Sequence, residues 1–238
     1  MIVFQSSKQS IRHWLPIITF VFFATSACAE YHEAAPITLP KALLGNTLSA
    51  SANEDSIVLA GGCFWGVQGV FQHMKGVKSA VSGYAGGPKE SASYHTVSSG
   101  LTGHAESVEV RFDPSQISLT EVLRVYFSVA HDPTQVNRQG PDDGSQYRSA
   151  IFYKNENQKH IVETYIAQLN QSHLFQKPIA TQIGSLKAFY PAENYHQDYA
   201  TLHPEDRYIS YYDLPKIANL RKLFPELYLE KPTLVSTH

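Results

Sequence analysis

The chain has 238 residues, 43% of them hydrophobic and 17% charged, enough for one well-buried globular domain and marginal for two. A net charge of −2 and the lack of any basic cluster exclude a nucleic-acid-binding surface or a polybasic membrane patch.

Residues 1–29 read as an export signal. Lys8 and Arg12 are the only formal charges before Glu30, and the apolar run 15–27 is too short to span a bilayer comfortably but suits a signal-peptide core. Ala27-Cys28-Ala29 fits cleavage after Ala29. A lipoprotein signal ending before a lipidated Cys28 competes with it, and a retained membrane anchor is a third reading. The expected location is periplasmic or secreted, with membrane attachment only if Cys28 is lipidated. Of the two cysteines, Cys63 then remains as the single thiol of the folded domain, so no disulfide framework can form. A lone thiol in an oxidising compartment is either buried and inert or kept for chemistry.

Residues 30–54 are rich in Ala, Ser, Pro and Asn and read as a flexible linker. A folded domain is expected over 55–228 and a short tail over 229–238. Within the domain, 56–60 is a strand with β-branched Ile57 and Val58, and Gly61-Gly62 is a turn. From Cys63 the apolar residues fall at 63, 64, 67, 70, 71 and 74, which is helical spacing. Residues 77–84 and 106–112 read as strands, the second alternating through Val108, Val110 and Phe112. Ser118 and Glu121 make a capping box that opens a helix to residue 130. A strand follows at 149–153, then an amphipathic helix over 155–174 with Ile161, Tyr165, Ile166 and Leu169 on its inner side, then a strand over 181–189. Residues 191–238 are Tyr- and Pro-rich and irregular, with short helical pieces. This mixture argues an α+β or α/β class, one sheet covered by helices. The segments 83–103 and 131–148 lack periodicity, and long irregular loops inside a compact domain are usually functional.

Cys63 opens a helix after a strand and a Gly-Gly turn, where free N–H groups and the helix dipole favour an anion. The dipole is worth about 0.3–2 kcal/mol, which lowers a thiol pKa by about one unit. From about 8.5, such a thiol is still mostly protonated at pH 7, so the helix start primes Cys63 without activating it. The commoner fate of a lone cysteine, packing as a small hydrophobe, fits the position as well. Phe64 and Trp65 follow directly. They suit either core packing or a pocket for a methyl or thioether group.

In this run the chain resembles the A-type methionine sulfoxide reductases (MsrA). The resemblance covers residues 56–228 through GCFWGVQGVF from Gly62, VSGYAGG from Val81, SSGLTGHAESVEV from Ser98, HDPTQVNRQGPDDGSQYRSAIFY from His131 and FYPAENYHQDY from Phe189. It implies an α/β roll, a two-layer sandwich with a mixed β-sheet. It implies thiol-dependent reduction of methionine S-sulfoxide, free or in proteins, by a monomer. No bound cofactor or metal is implied, only an external thiol reductant, either a thioredoxin-like protein or a small thiol. Position by position, Cys63 matches the nucleophile and Glu106 the acid that protonates or polarises the sulfoxide oxygen. Tyr94 and Tyr147 match phenols that hydrogen-bond that oxygen, and Asp142 a polar substrate-orienting residue. Phe64 and Trp65 match the pocket for the substrate methyl, and His196 and Tyr199 further pocket-lining positions. The residue types suit the chemistry on their own account. A sulfoxide oxygen is a poor leaving group until protonated, and a carboxylic acid kept neutral by an apolar pocket is a good donor. Phenols add hydrogen bonds that strengthen as charge develops on oxygen. The first products are methionine and a Cys63 sulfenic acid, which a thiol must reduce.

Many members of the resembled family carry resolving cysteines. Here Ser98 stands at one such position and the C-terminal region has none, so the reductant must reach Cys63 directly. Two other function classes stay open. A Cys/His hydrolase would use His104, His131 or His196 as base and need no reductant. A binding module would use its aromatic-rich surface and tolerate loss of Cys63. A zinc deaminase, suggested by His104-Ala105-Glu106, is excluded by the missing P-C-x-x-C run. No histidine spacing repeats a known metal-ligand set.

Overall fold

A computed structural model describes residues 1–3, 36–42, 48 and 54–235. The signal reading beyond Val3, Cys28 and most of the expected linker lie outside the described residues. Among the described residues eight strands form: β1 (Asp55–Ala60), β2 (Val77–Ala85), β3 (Ala105–Phe112), β4 (Arg138–Gln139), β5 (Asp142–Asp143), β6 (Ala150–Tyr153), β7 (Gln182–Ser185) and β8 (Phe189–Pro191). Six of them make one sheet in the order β7-β6-β1-β3-β2-β8, while β4 and β5 pair as a small hairpin. Every sheet neighbour is antiparallel except β6 and β7, so the sheet is mixed.

The run 181–189, expected as one strand, is two. β7 and β8 lie at opposite edges of the sheet, separated in sequence only by Leu186-Lys187-Ala188. Six flat strands would put those edges about 24 Å apart, whereas the four steps from Ser185 to Phe189 reach about 14 Å at most. The sheet must therefore curl until its edges nearly meet, which is the expected roll. Side-chain size permits the curl. Along β1, Ile57 and Leu59 face a large core, while Val58 and Ala60 face a small one completed by Ala85, Ala105, Ala150 and Phe152. Four alanines on the concave face leave room for tight bending.

The helices cover the convex face. α1 (Phe64–Gln72) packs on β2 and β3 through Val67, Val70 and Phe71. α2 (Tyr94–Val97) is a short helix inside the first irregular segment. α3 (Leu119–Val125) starts at Ser118, whose hydroxyl accepts the Glu121 N–H, and runs on as a π-helical turn, Tyr126–Ala130. α4 (Glu156–Gln171) starts at Asn155, whose side chain accepts the Gln158 N–H. Its inner face is shifted from the expectation: Val162, Tyr165 and Leu169 are buried, and Ile161 and Ile166 are only half-buried beside them. α5 (Tyr199–Leu202) and α6 (Leu214–Leu223) complete the chain, the latter after a π-helical turn, Ile209–Asp213.

Within the 30–54 stretch, residues 36–42 dock on the domain through Leu39 and Ala42, while Leu48 is exposed. Leu39 is 1% exposed in the main core. Side chains from the domain capture three backbone carbonyls of this strap: Arg124 Nε donates to Leu39 O at 2.7 Å, the Tyr165 hydroxyl to Pro40 O at 2.9 Å, and Gln168 Nε2 to Lys41 O at 3.0 Å. Leu39→Ala is therefore expected to destabilise the fold by about 2–4 kcal/mol in urea titration, the cost of a large-to-small change in a core. A loss below about 0.5 kcal/mol, usual for a surface site, would mean that the strap does not dock in solution. Beyond residue 228 the chain returns along the end of α1, with Leu229 N–H bonded to His73 O and Thr233 N–H to Gln72 O.

Candidate active site

β1 ends at Ala60, and Gly61-Gly62 swing the chain into α1. Gly62 has φ +88°, and a Cβ there would lie 2.6 Å from the Gln139 side chain, so only glycine lets the 131–148 loop close over the turn. Cys63 consequently sits at the N-cap of α1. The first free N–H groups of the helix are divided between two groups. Phe64 N–H donates to Glu106 Oε2 at 3.2 Å, and Trp65 N–H hydrogen-bonds the Cys63 sulfur. Glu106 arrives on β3, one strand away from the β1 turn.

Thiol and acid open onto a pocket of about 190 Å³ lined also by Phe64, Trp65, Tyr94, Asp142, Tyr147 and Tyr208. The two irregular segments deliver Tyr94 from α2, Asp142 from β5 and Tyr147 from a short 3-10 turn. Seven of the nine residues singled out in the sequence thus converge. The other two, His196 and Tyr199, do not line the pocket; they brace its wall from behind. Tyr199 stacks on the Trp65 indole at 3.9 Å and 13°, and Trp65 Nε1 donates to His196 Nδ1 at 3.2 Å. An indole N–H only donates, so His196 Nδ1 is the unprotonated nitrogen of a neutral ring. Burial agrees, since it lowers the His196 pKa.

Three further parts were not singled out in the sequence, although Glu193 lies within the run from Phe189. Tyr208 meets Trp65 edge-on at 6.2 Å and donates a short hydrogen bond to Asp142 Oδ2. Glu193 accepts the Tyr94 N–H at 3.0 Å and the Tyr84 hydroxyl at 2.8 Å, fixing where α2 starts. Lys216 and Asp213 form an ion pair of 3.0 Å with side chains only 5% and 0% exposed.

The electrostatics reverse one expectation. The helix start alone argues for a modestly lowered thiol pKa. Instead the Cys63 pKa is raised well above its ordinary value, first by burial, then by the nearby Asp213 and Glu106 carboxyls, and the Trp65 N–H only partly offsets them. The thiol, 8% exposed, is protonated at rest. Glu106 is pushed up to about 8, chiefly by burial, against the Phe64 N–H and with help from Asp142 and Asp213. At pH 7 it is a neutral acid. Burial and then Glu106 raise the Tyr94 and Tyr147 phenols, so both are donors.

The histidines proposed as hydrolase bases are occupied. His131 Nδ1 donates to Tyr126 O at 3.2 Å, its Nε2 accepts from Ser149 at 2.7 Å, and burial drives its pKa down to about 3. His104 accepts Gly87 N–H and donates to Pro88 O. Neither is bonded to Cys63. Among the described residues no group of three His, Cys, Asp or Glu is placed to hold a metal ion.

A family model for peptide methionine sulfoxide reductase matches residues 55–227. The chain belongs to that family. It is 60% identical over 186 residues to "Peptide methionine sulfoxide reductase MsrA 2" of Mesorhizobium japonicum, covering 78% of this chain and 95% of that one. A protein of the same name in Synechocystis is 47% identical over 182 residues, covering 76% and 85%. Among solved structures, the reduced form of Mxr1 from Saccharomyces cerevisiae superposes with a TM-score of 0.58 at 32% identity, covering 67% of this chain and 91% of that one. Methionine sulfoxide reductase A of Corynebacterium diphtheriae gives 0.54 at 36%, covering 73% and 85%. The chain is therefore an oxidoreductase with the fold of its family, and neither the hydrolase nor the binding-module reading has support.

Proposed function

We propose that the reductase removes the oxygen of methionine sulfoxide by attack of Cys63 on the sulfoxide sulfur, with Glu106 as the proton donor. The observation that carries this reading is that the buried Glu106 carboxyl accepts the Phe64 N–H at 3.2 Å, at the same helix start as the buried Cys63 thiol and in the same pocket, where burial pushes the Glu106 pKa up to about 8. Phe64 and Trp65 would hold the substrate methyl group, and Tyr94 and Tyr147 would donate to the sulfoxide oxygen, their hydrogen bonds strengthening as charge builds there. Asp142, held by Tyr208, would orient the substrate's polar part. His196 and Tyr199 would act at one remove, keeping the Trp65 indole in place.

The protons balance without a free thiolate. As sulfur attacks, Glu106 gives its proton to the sulfoxide oxygen and takes up the thiol proton, and the Phe64 N–H stabilises the passing carboxylate. The attack joins Cys63 to the substrate sulfur; the hydroxyl then passes to the Cys63 sulfur as the substrate S–O bond and the transient S–S bond break, so methionine leaves and Cys63 is a sulfenic acid, two electrons poorer. Two equivalents of an external thiol then restore Cys63 with release of water and a disulfide. We assign that role to a thioredoxin-like protein or a small thiol, because Cys63 is the only cysteine of residues 55–238. Export is inferred from Lys8, Arg12 and the apolar run 15–27.

The test is a single turnover. Enzyme reduced, freed of reductant and mixed with a methionine sulfoxide peptide is expected to release one methionine per chain and then stop, with one dimedone-reactive group at Cys63. Absence of the burst, or its persistence when Cys63 is blocked by alkylation, would refute the reading.

A further inference from the structure

Behind the pocket, Cys63 borders a second, much smaller cavity of about 10 Å³ together with Gln139, Gly140, Pro141, Asp142, Tyr208, Tyr212 and Lys216. Among the described residues Lys216 is the only buried Lys or Arg. Its ammonium bonds Asp213 Oδ1 at 3.0 Å. This pair lies directly on the first turn of α1. A Cβ at Gly66 would collide with Asp213 Oδ1 and lie 3.0 Å from Lys216 Nζ, so the glycine of the GCFWG run is what admits it. The second carboxylate oxygen, Asp213 Oδ2, is fully buried and has no hydrogen-bond partner. A pair kept only for stability is expected to have its oxygens satisfied, since a buried ion pair is at best a weak stabiliser and an orphaned oxygen makes it worse.

We propose that Asp213 is a positioning residue for the reaction: by pairing with Lys216 on the wall of the cavity that Cys63 lines, it offsets that ammonium and keeps the thiol unreactive until sulfoxide enters. The groups facing Cys63 make the balance plain. Glu106 on β3, Asp142 on β5 and Asp213 ahead of α6 are acidic, Tyr94, Tyr147 and Tyr208 are neutral donors with Tyr212 a further phenol, and among the described residues Lys216 is the single cation lining these cavities. With Asp213 neutralised, the positive charge of Lys216 is no longer offset on the wall of the cavity that Cys63 also lines, and that charge favours the thiolate. The device protects a lone cysteine, because oxidants and electrophiles attack the thiolate and not the thiol.

The proposal rests on Cys63 being the nucleophile, but its test needs no sulfoxide, so it can fail while the reductase reading stands. The full-length protein is treated with iodoacetamide, which forms an S–C bond at Cys63 with loss of iodide, and the Cys63 peptide is followed by mass spectrometry across pH. Asp213→Asn is expected to lower the pH midpoint of alkylation by at least about one unit, a rate about tenfold faster at pH 7. Adding Lys216→Met to it is expected to return the midpoint to the wild-type value, since the cation is gone. A midpoint unmoved by Asp213→Asn overturns the proposal. So does an equal fall in the double variant, which would mean only that looser packing exposes the thiol. If Asp213→Asn does not fold, Lys216→Met alone decides: a midpoint at or above wild type supports the proposal, and a fall overturns it.

Discussion

Replacing Cys63 by Ser is expected to abolish methionine formation, and replacing Glu106 by Gln to slow it by about 10²–10⁴-fold, the range of a positioned acid catalyst. A hydroxyl at position 63 lacks the sulfur that must accept oxygen and release two electrons, so the serine variant sets the zero of the assay. The glutamine variant keeps the shape of the acid and can still accept the Phe64 N–H, but it has no proton to give. The pH profile distinguishes lost acid catalysis from lost packing. The reactive form of the free enzyme carries Glu106 protonated, so wild-type kcat/KM should be flat from pH 6 to 7 and fall as pH rises through about 8. No such fall at that position should remain in Glu106→Gln. Steady-state reduction of a methionine sulfoxide peptide with dithiothreitol, across pH 6 to 9.5, measures both. A wild-type rate that rises through pH 8, or a glutamine variant within threefold of wild type, would remove Glu106 from the chemistry.

The centre of this site was legible in the sequence, and its surroundings were not, for physical reasons. Cys63, Phe64 and Trp65 are contiguous, and a strand, two glycines and helical spacing place them without any long-range information. Tyr94, Asp142 and Tyr147 lie in segments without periodicity, so their convergence was implied only by resemblance. His196 and Tyr199 sit in a quotable run, but adjacency in sequence cannot tell a residue that lines a pocket from one that braces its wall. Tyr208 reaches Asp142 across 66 residues and Glu193 reaches Tyr94 across 99, through single hydrogen bonds that leave no pattern in a Tyr-rich tail. The same limit explains β7 and β8. The run 181–189 reads as one strand, but local pattern says nothing about which edge of a curled sheet each half joins. The sequence reading of a thiol still protonated at rest agrees with the structure, but the direction of its shift differs for another reason. A helix start is visible in sequence, whereas the burial of Cys63 and the approach of Asp213 are tertiary, and here they outweigh the dipole.

The acid that catalysis requires should also be a burden on the fold, and Glu106→Gln is expected to be the more stable protein at neutral pH. Folding raises the Glu106 pKa from 4.5 to about 8. Below pH 4.5 the carboxyl is neutral in both states and costs nothing. As pH rises from 4.5 towards 8 the unfolded chain ionises and gains solvation that the folded state is denied, so stability falls; above 8 both states are ionised and the loss is constant. Over the span from pH 4.5 to 7, at about 1.4 kcal/mol per unit, the penalty reaches at most about 3 kcal/mol. Glutamine, neutral at every pH, escapes it while keeping an oxygen for the Phe64 N–H. Urea titrations of both proteins at pH 5 and pH 7.5 provide the measurement. The glutamine variant should gain little at pH 5 and up to a few kcal/mol at pH 7.5. A gap that does not widen with pH would mean that Glu106 ionises in the folded protein, and with that the proton it is said to donate would no longer be there at neutral pH.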